Sequence, residues 1–513
     1  MKTQNIKDLE IALKQSECNL AKALIKAKKK SDEIKILHKE RSRYRQRIKG
    51  LLLSREKTRD KSKLKSAEIK SLTNKLKPKR HHFTGFMMQL AVMLRVFTNC
   101  SYKNISMILT LLKAYLPLDD LSIPCANTIQ NWTSKLGLNA LKNIDKTYLG
   151  EDICVIVDES IQIGSSKMLV ILFASAFRFL PVGVKREDSN MILNFSDVRV
   201  AYIGYDTSWT AAKVEKAITT TVKESGLKVA YMISDEASTL KCAAKIANIP
   251  HLPDISHLLG TCLRKTYEKN EAYKNLLSLL SSYKSKGVNQ DLTALLPPTQ
   301  RIKARFMNQK AIVTWANTLL SKYDTLNEKE KIFFKDLSLH QPILKSLSSC
   351  LIVAEFVGLN YKKQGICLES NQIMSDYLAN IVLVDEQQGK FISFLIKYVK
   401  DYTEKLTAIY EKSGLEIDKQ LICSLNPCTD ILESMFGKYK NTVSSNPLVG
   451  IPTTCLELPL CYMDIQQLTA QIIPSVEEVF VADISAWKQG QSIQSQAIRR
   501  RNFFKNEHKK SKI

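Results

Sequence analysis

Three acids in this sequence stand where carboxylates can do chemistry. Asp158 closes the apolar run DICVIVDES (152–160), Asp235 closes a second run ending VAYMISD, and Glu433 lies in NPCTDILESMFGKYKNTV (426–443). A buried strand that ends in Asp lets a carboxylate leave the core while staying beside its neighbour. A helix beginning near Thr429 would carry Glu433, Phe436, Gly437 and Lys440 on one face at i, i+3, i+4, i+7. A carboxylate set among apolar residues is costly unless it has a partner. A metal ion shared with the two aspartates would be that partner. The segment HLPDISH adds Asp254 and His257 at D-x-x-H spacing. Glu159 and Glu236, next to the two aspartates, are expected to point the other way on an extended strand end.

The elements that must position these groups change period along the chain. Strands are expected at 152–160, at KMLVILFASAF (167–177), at VRVAYIGYD (198–206), at 229–234 and briefly in HLPDISH, with a helix over 208–225 and another directly behind Asp235. Residues 260–420 read as mostly helical. Before the strands, 83–97, 102–116 and 127–141 form three short helices. The third is expected to open at an Asn127/Thr128 cap and to expose Gln130, Asn131, Thr133, Ser134 and Lys135, with Ile129, Trp132 and Leu136 inward, as in a helix-turn-helix. Asn131 and Lys135 are its candidate DNA contacts.

Composition narrows the partner. The 513 residues carry 76 Lys and Arg against 50 Asp and Glu, a formal charge of +26. Residues 1–80 hold 26 basic and 9 acidic side chains, a net +17; residues 491–513 hold 7 and 1, a net +6; the 410 residues between carry only +3. Basic ends around a near-neutral body fit a polyanion, since neutralising phosphates releases counterions. A nucleic acid is the expected polyanion. In the first arm the basic stretches include Lys28, Lys29, Lys30, Arg43, Arg45 and Arg47; in the second, Arg499, Arg500 and Arg501. Apolar positions such as Ile6, Leu13, Leu20, Ile34 and Leu51 follow a broken heptad, so a long helix able to pair as a coiled coil is expected, ended by Pro78.

Several classes drop out. The longest apolar run, Met168–Phe177, is flanked by Lys167 and Arg178, short of the roughly 18 residues a membrane helix needs, and the start lacks the apolar core of a signal peptide. Neither a membrane association nor secretion is expected. The 12 cysteines include no C-x-x-C pair, so no zinc site is expected. No G-x-x-x-x-G-K-[ST] loop occurs, and no nucleotide cofactor is expected.

Taken together, Asp158 in VIVDES, Asp235 in MISDEA, Glu433 in ESMFGKYK and the D-x-x-H of Asp254 and His257 resemble the DDE transposases, whose catalytic domain is RNase H-like. The D-x-x-H, and the 198 residues between Asp235 and Glu433 that leave room for a helical insertion, are similar to the hAT-like and Mutator-like arrangement. The resemblance implies an α/β core, a mixed five-stranded sheet flanked by helices, with a large all-α insertion. It divides the chain into a basic coiled helix (1–80), a helix-turn-helix-like unit (83–145), the first part of the core (150–260), the insertion (261–424), the last part of the core (425–490) and a basic tail (491–513). It implies cleavage and strand transfer of double-stranded DNA at transposon ends by two divalent ions, Mg²⁺ or Mn²⁺, which prefer carboxylate oxygen. Asp158 would bridge both ions, with Asp235 and Glu433 each completing one side. His257 would contact the scissile phosphate or orient a carboxylate, with Asp254 assisting. A homodimer or larger synaptic complex, in the nucleoid or, in a eukaryote, the nucleus, is also implied. The rivals are a non-catalytic DNA-binding protein on the same scaffold and an RNase H-like nuclease.

Overall fold

The structure, a computed structural model, describes residues 15–17, 19–20, 78–115, 122–147, 149–150, 152–163, 166–288, 292–300, 305–442, 453–491 and 500–504. The basic coiled helix expected over most of 1–80, with Lys28, Lys29, Lys30, Arg43, Arg45 and Arg47, lies outside these residues, as does Arg499. The chain forms two units, one of residues 1–77, 81–86 and 112–121, the other of 78–80, 87–111 and 122–513. The sheet and the candidate site belong to the second.

Five strands, β1 (Asp152–Ile163), β2 (Ser166–Ser175), β3 (Val198–Asp206), β4 (Lys228–Ser234) and β5 (His251–Pro253), make one mixed sheet in the order β3-β2-β1-β4-β5. β1 and β2, and β2 and β3, are antiparallel; β1 and β4, and β4 and β5, are parallel. The near-continuous apolar runs of β1 and β2 follow from burial on both faces. Cys154, Ile156, Val170, Leu172, Tyr231 and Ile233 feed one core, while Ile153, Val155, Val157, Ile171, Phe173 and Met232 feed the other. Each such aliphatic side chain contributes about 1.5–3 kcal/mol when buried.

Helices flank the sheet. Upstream lie α1 (Gly85–Thr98), α2 (Tyr102–Tyr115) and α3 (Ala126–Lys142). Between strands come α4 (Ala211–Ser225), whose N-terminal cap Thr210 accepts from the Lys213 amide, and α5 (Ser238–Ile246), both packed on the second core. Then follow α6 (Ile255–Tyr267), α7 (Glu271–Gly287), α8 (Gln309–Ser321), α9 (Glu328–Phe334), α10 (Gln341–Gln364), α11 (Leu368–Ala379), α12 (Glu386–Ser413) and α13 (Ile417–Ile422), and finally α14 (Asp430–Thr442), α15 (Ile465–Glu478) and α16 (Val481–Gly490). The expected insertion is therefore helical, but it is no separate body. Its residues Tyr273, Phe334, Leu347, Phe391 and Tyr402 share one apolar cluster with Ile156 and Ile233 of the sheet. The segment Glu328–Gln364 is apolar and long enough to cross a membrane by composition, yet half of its most apolar window is buried against the rest of the chain. Leu344, Leu347, Val353 and Val357 of α10 supply that burial.

Three expectations need correction here. β1 does not end at Ser160 but runs to Ile163, paired with β2 across a register shift between Glu159 and Ile161. Asp158 is thus inside the strand, opposite Val170, and beyond the last parallel pair with β4, Ile156–Ile233. His257 belongs to α6 rather than to a strand. The third correction concerns α3, which begins at Ala126 after Cys125, with no side-chain cap, and buries Thr133, Ser134 and Lys135 along with Trp132 and Leu136. Its polar residues satisfy themselves locally or against 453–480: the Thr133 hydroxyl donates to the Ile129 carbonyl at 2.9 Å, and Asn139 donates to Ser475 at 2.9 Å. Gly137 lets this packing happen, since a Cβ there would run into the Leu456 carbonyl.

Candidate active site

The parallel pairing of β1 with β4 is what brings the two aspartates together. Asp158 continues the alternation of Cys154 and Ile156, and Asp235 that of Tyr231 and Ile233, so both lie toward the core shared with α6 and α14. The register shift just past Asp158 is the kind of local distortion that re-aims a side chain at a strand edge. Burial and, next, the Asp235 carboxylate push the Asp158 carboxyl up to about 7. The His257 imidazole opposes that rise and Glu433 adds to it, so the four groups act on one another.

Asp235 is fixed from both sides. Its Oδ1 accepts the Ala237 amide at 3.0 Å, opening the turn into α5. The preceding Ser234 hydroxyl, fully buried, lies 2.9 Å from His251 Nε2 and donates to the Asp235 carbonyl at 2.9 Å. Burial pushes His251 down to about 4, which keeps it neutral as a partner for that hydroxyl.

Both carboxylate oxygens of Asp254 are bonded away from the other acids. It is fully buried and caps α6, accepting the His257 amide at 2.8 Å, while its other oxygen accepts the Thr429 amide at 2.5 Å and the Thr429 hydroxyl at 2.9 Å. The Ile255 amide also donates to the Pro427 carbonyl at 2.9 Å, and the Asn426 amide to the Tyr231 hydroxyl at 2.9 Å. These bonds pin the entrance of α14 beside that of α6. As a result His257 Nε2 stands 3.3 Å from Glu433 Oε1. That contact, ahead of the opposing burial, raises His257 to about 9 and lowers Glu433 below the usual glutamate range.

Glu433 corrects one expectation. It does not lie among apolar residues: α14 turns Ile431, Leu432, Met435, Phe436 and Tyr439 inward, and Glu433, Gly437 and Lys440 outward. Its partner is His257. The neighbouring acids are engaged elsewhere, Glu159 with Lys167 at 3.9 Å and Glu236 with Lys241 at 2.8 Å and the Tyr398 hydroxyl at 3.2 Å. Asp430 pairs with Lys362 at 2.6 Å. Sequence reasoning missed Ser234, His251 and Lys362; only Thr429, placed at a helix start, left a local signal.

Among the described residues no three His, Cys, Asp or Glu side chains already stand together as a metal-holding group. The aspartate pair nevertheless has the donor chemistry a hard cation uses, because Mg²⁺ takes one or two carboxylates and fills its other positions with water and phosphate. Glu433, held by His257, does not belong to that pair as it stands.

Of the other nominated DNA contacts, Asn131 is exposed on α3. Lys135 is not: it is buried, and its ammonium donates to the Val476 carbonyl at 2.9 Å. Lys135→Ala should therefore lower stability by about 1–3 kcal/mol, leaving that carbonyl unpaired, and leave DNA affinity unchanged. Thermal melting and a filter-binding titration measure the two effects. Arg500 and Arg501 are exposed, Arg500 lying 5.9 Å from the Phe504 ring. No protein-family model and no curated protein matches the sequence.

Proposed function

We propose that this chain is a DDE-type transposase, its sheet an RNase H-like catalytic core, which cuts and joins DNA at transposon ends. The observation that carries the reading is the strand order: the parallel β1/β4 pair sets Asp158 beside Asp235, and the crosslinked entrances of α6 and α14 bring His257 and Glu433 to the same place. Bound by these carboxylates, two Mg²⁺ or Mn²⁺ ions would supply positive charge at the attacking and leaving oxygens. Asp158 and Asp235 would hold the ions, and Glu433 would complete the set where it is free of His257. While it keeps Glu433, His257 is raised to about 9 and is protonated at neutral pH, a positive charge that can face the scissile phosphate. The basic arms hold the duplex while the near-neutral body acts on it.

One observation favours a second reading, a non-catalytic DNA-binding protein on this scaffold: Glu433 is paired with His257 and no preassembled metal group exists among the described residues. The test is direct. Purified full chain is incubated with plasmid carrying the DNA that flanks its coding region, in Mg²⁺ or in EDTA. End-specific nicking and joining only with Mg²⁺ supports the transposase. Binding without cutting supports the second reading, and cutting without joining or end preference supports a nuclease.

A further inference from the structure

We infer that a cavity remote from the acids is a site for a small organic cation, an ammonium carried on an aromatic or aliphatic body. It is enclosed by the connection between β2 and β3, Ala176 to Asp197, whose regular pieces are the strand Arg178–Phe179 and two single 3-10 turns, Arg186–Asp188 and Phe195–Asp197. A connection of more than roughly 15 residues with so little regular structure usually has a function. The cavity measures about 490 Å³ and is open on one side, with Arg178, Phe179, Val184, Asp188, Met191 and Asp197 in its wall. Ser175, which also lines it, pairs with Ile153 at the start of β1. The cavity therefore lies at the end of the sheet opposite Asp158, about 16 Å away by strand rise. What binds there is independent of the reaction at the acids.

The walls are anchored on both sides. Arg186 is buried, its guanidinium donating to Glu369 at 2.9 Å, to the Ser424 hydroxyl at 2.5 Å and to the Leu421 carbonyl at 2.9 Å. The Leu180 amide donates to the Ile422 carbonyl at 2.7 Å, and the Met191 amide to the Lys363 carbonyl at 2.7 Å. Between these ties the chain reverses at Gly183, where φ is +80°, and the Val184 amide closes the turn on the Pro181 carbonyl at 3.1 Å. Such fixed, concave spaces of roughly 300–1,000 Å³ are the usual form of small-molecule sites. The charges select the ligand. Arg178 and Asp197 neutralise each other at 3.0 Å, Lys185 pairs with Glu187 at 3.7 Å, and Arg186 with Glu369. Among the described residues, Asp188 is the one charged group of this connection without an ion pair. The rest of the wall includes apolar surface left in water, Phe179 at 46% and Val184 at 36% exposure. One unanswered carboxylate beside an apolar wall complements an ammonium on an apolar body, and the face of the Phe179 ring adds to the attraction for a cation. An anion has no free positive charge to meet.

Equilibrium dialysis of the full chain against tryptamine, and against indole-3-acetate, which carries the opposite charge on the same ring, tests this. The chain carries +26 overall, so a preference for the cation must come from the site and not from the net charge. Tryptamine should bind with a Kd of about 1 mM or tighter, and indole-3-acetate about tenfold more weakly. Asp188→Asn, a change of charge on an exposed side chain, should melt with wild type and hold tryptamine about fivefold more weakly. Phe179→Ala should weaken tryptamine about threefold. Indole-3-acetate held as tightly as tryptamine overturns the inference, and so does equal binding of tryptamine by wild type and Asp188→Asn. Failure of tryptamine to bind at about ten times the expected Kd overturns it as well. The nicking and joining assay reads the acids alone, so none of these outcomes bears on the transposase reading.

Discussion

Asp158→Asn is expected to lose DNA nicking and strand transfer by roughly 10³-fold or more, about 4 kcal/mol of transition-state stabilisation. A metal-assisted phosphoryl transfer draws several kcal/mol from the ions its carboxylates hold, and Asn brings no charge to hold them. The same variant should be more stable than wild type at alkaline pH. The Asp158 carboxyl, ordinarily near 3.8, is pushed up to about 7 by burial and then by Asp235, so between those values the folded chain binds a proton that the unfolded chain has released. Stability contributed by that proton is present below about 4 and is lost as pH rises through about 7. Asn keeps the uncharged state at every pH. The melting temperature of the variant minus that of wild type should therefore grow from pH 5 to pH 8. Mn²⁺, which replaces the proton as the neutralising charge, should raise the wild-type melting temperature at pH 8 and leave the variant unmoved. If the variant cuts like wild type, the carboxylate assignment is wrong; if its melting temperature tracks wild type at every pH, Asp158 is not crowded by Asp235 as described.

What could be read in advance depended on distance along the chain. The strands were legible because Val155–Val157 and Met168–Phe173 are apolar on both faces, and Asp158 stood out as the first acid to interrupt them. The place of Asp235 followed in the same way, being the residue at which β4 stops. Strand order was not legible, and neither was the register shift after Glu159. The partner of Glu433 is 176 positions upstream, so no local pattern could pair it with His257. The helix around Asn131 failed for the same physical reason. Thr133, Ser134 and Lys135 look exposed in isolation, but whether a polar face meets water depends on the residues that cover it, and the carbonyl that accepts from Lys135 is 341 positions away. Asp254 was legible as part of a motif, but its hydrogen bonds to the His257 amide and to the Thr429 amide and hydroxyl were not.

Those bonds make Asp254→Ala the second large effect. The substitution removes the cap of α6, worth about 1 kcal/mol, and leaves the buried Thr429 amide and hydroxyl without an acceptor, at about 1–3 kcal/mol more. A loss of about 2–4 kcal/mol is expected in denaturant melts. Strand cleavage should fall further than stability alone dictates, because the two helix entrances that Asp254 ties together are what set His257 against Glu433, and a displacement near 1 Å can cost about 10²-fold. Asp254→Asn separates the two effects. Its amide oxygen can still accept the His257 amide and cap α6, but its NH₂ would meet the Thr429 amide donor against donor. Melting should recover part of the way while single-turnover cleavage stays depressed by about tenfold or more, with DNA affinity unchanged. Thr429→Val, which removes only the hydroxyl bond, should lie between Asn and wild type on both measures. Were the Asn variant to regain cleavage in step with stability, Asp254 would be a helix cap alone, and the position of Glu433 would have to be set by the Ile255–Pro427 and Asn426–Tyr231 bonds instead.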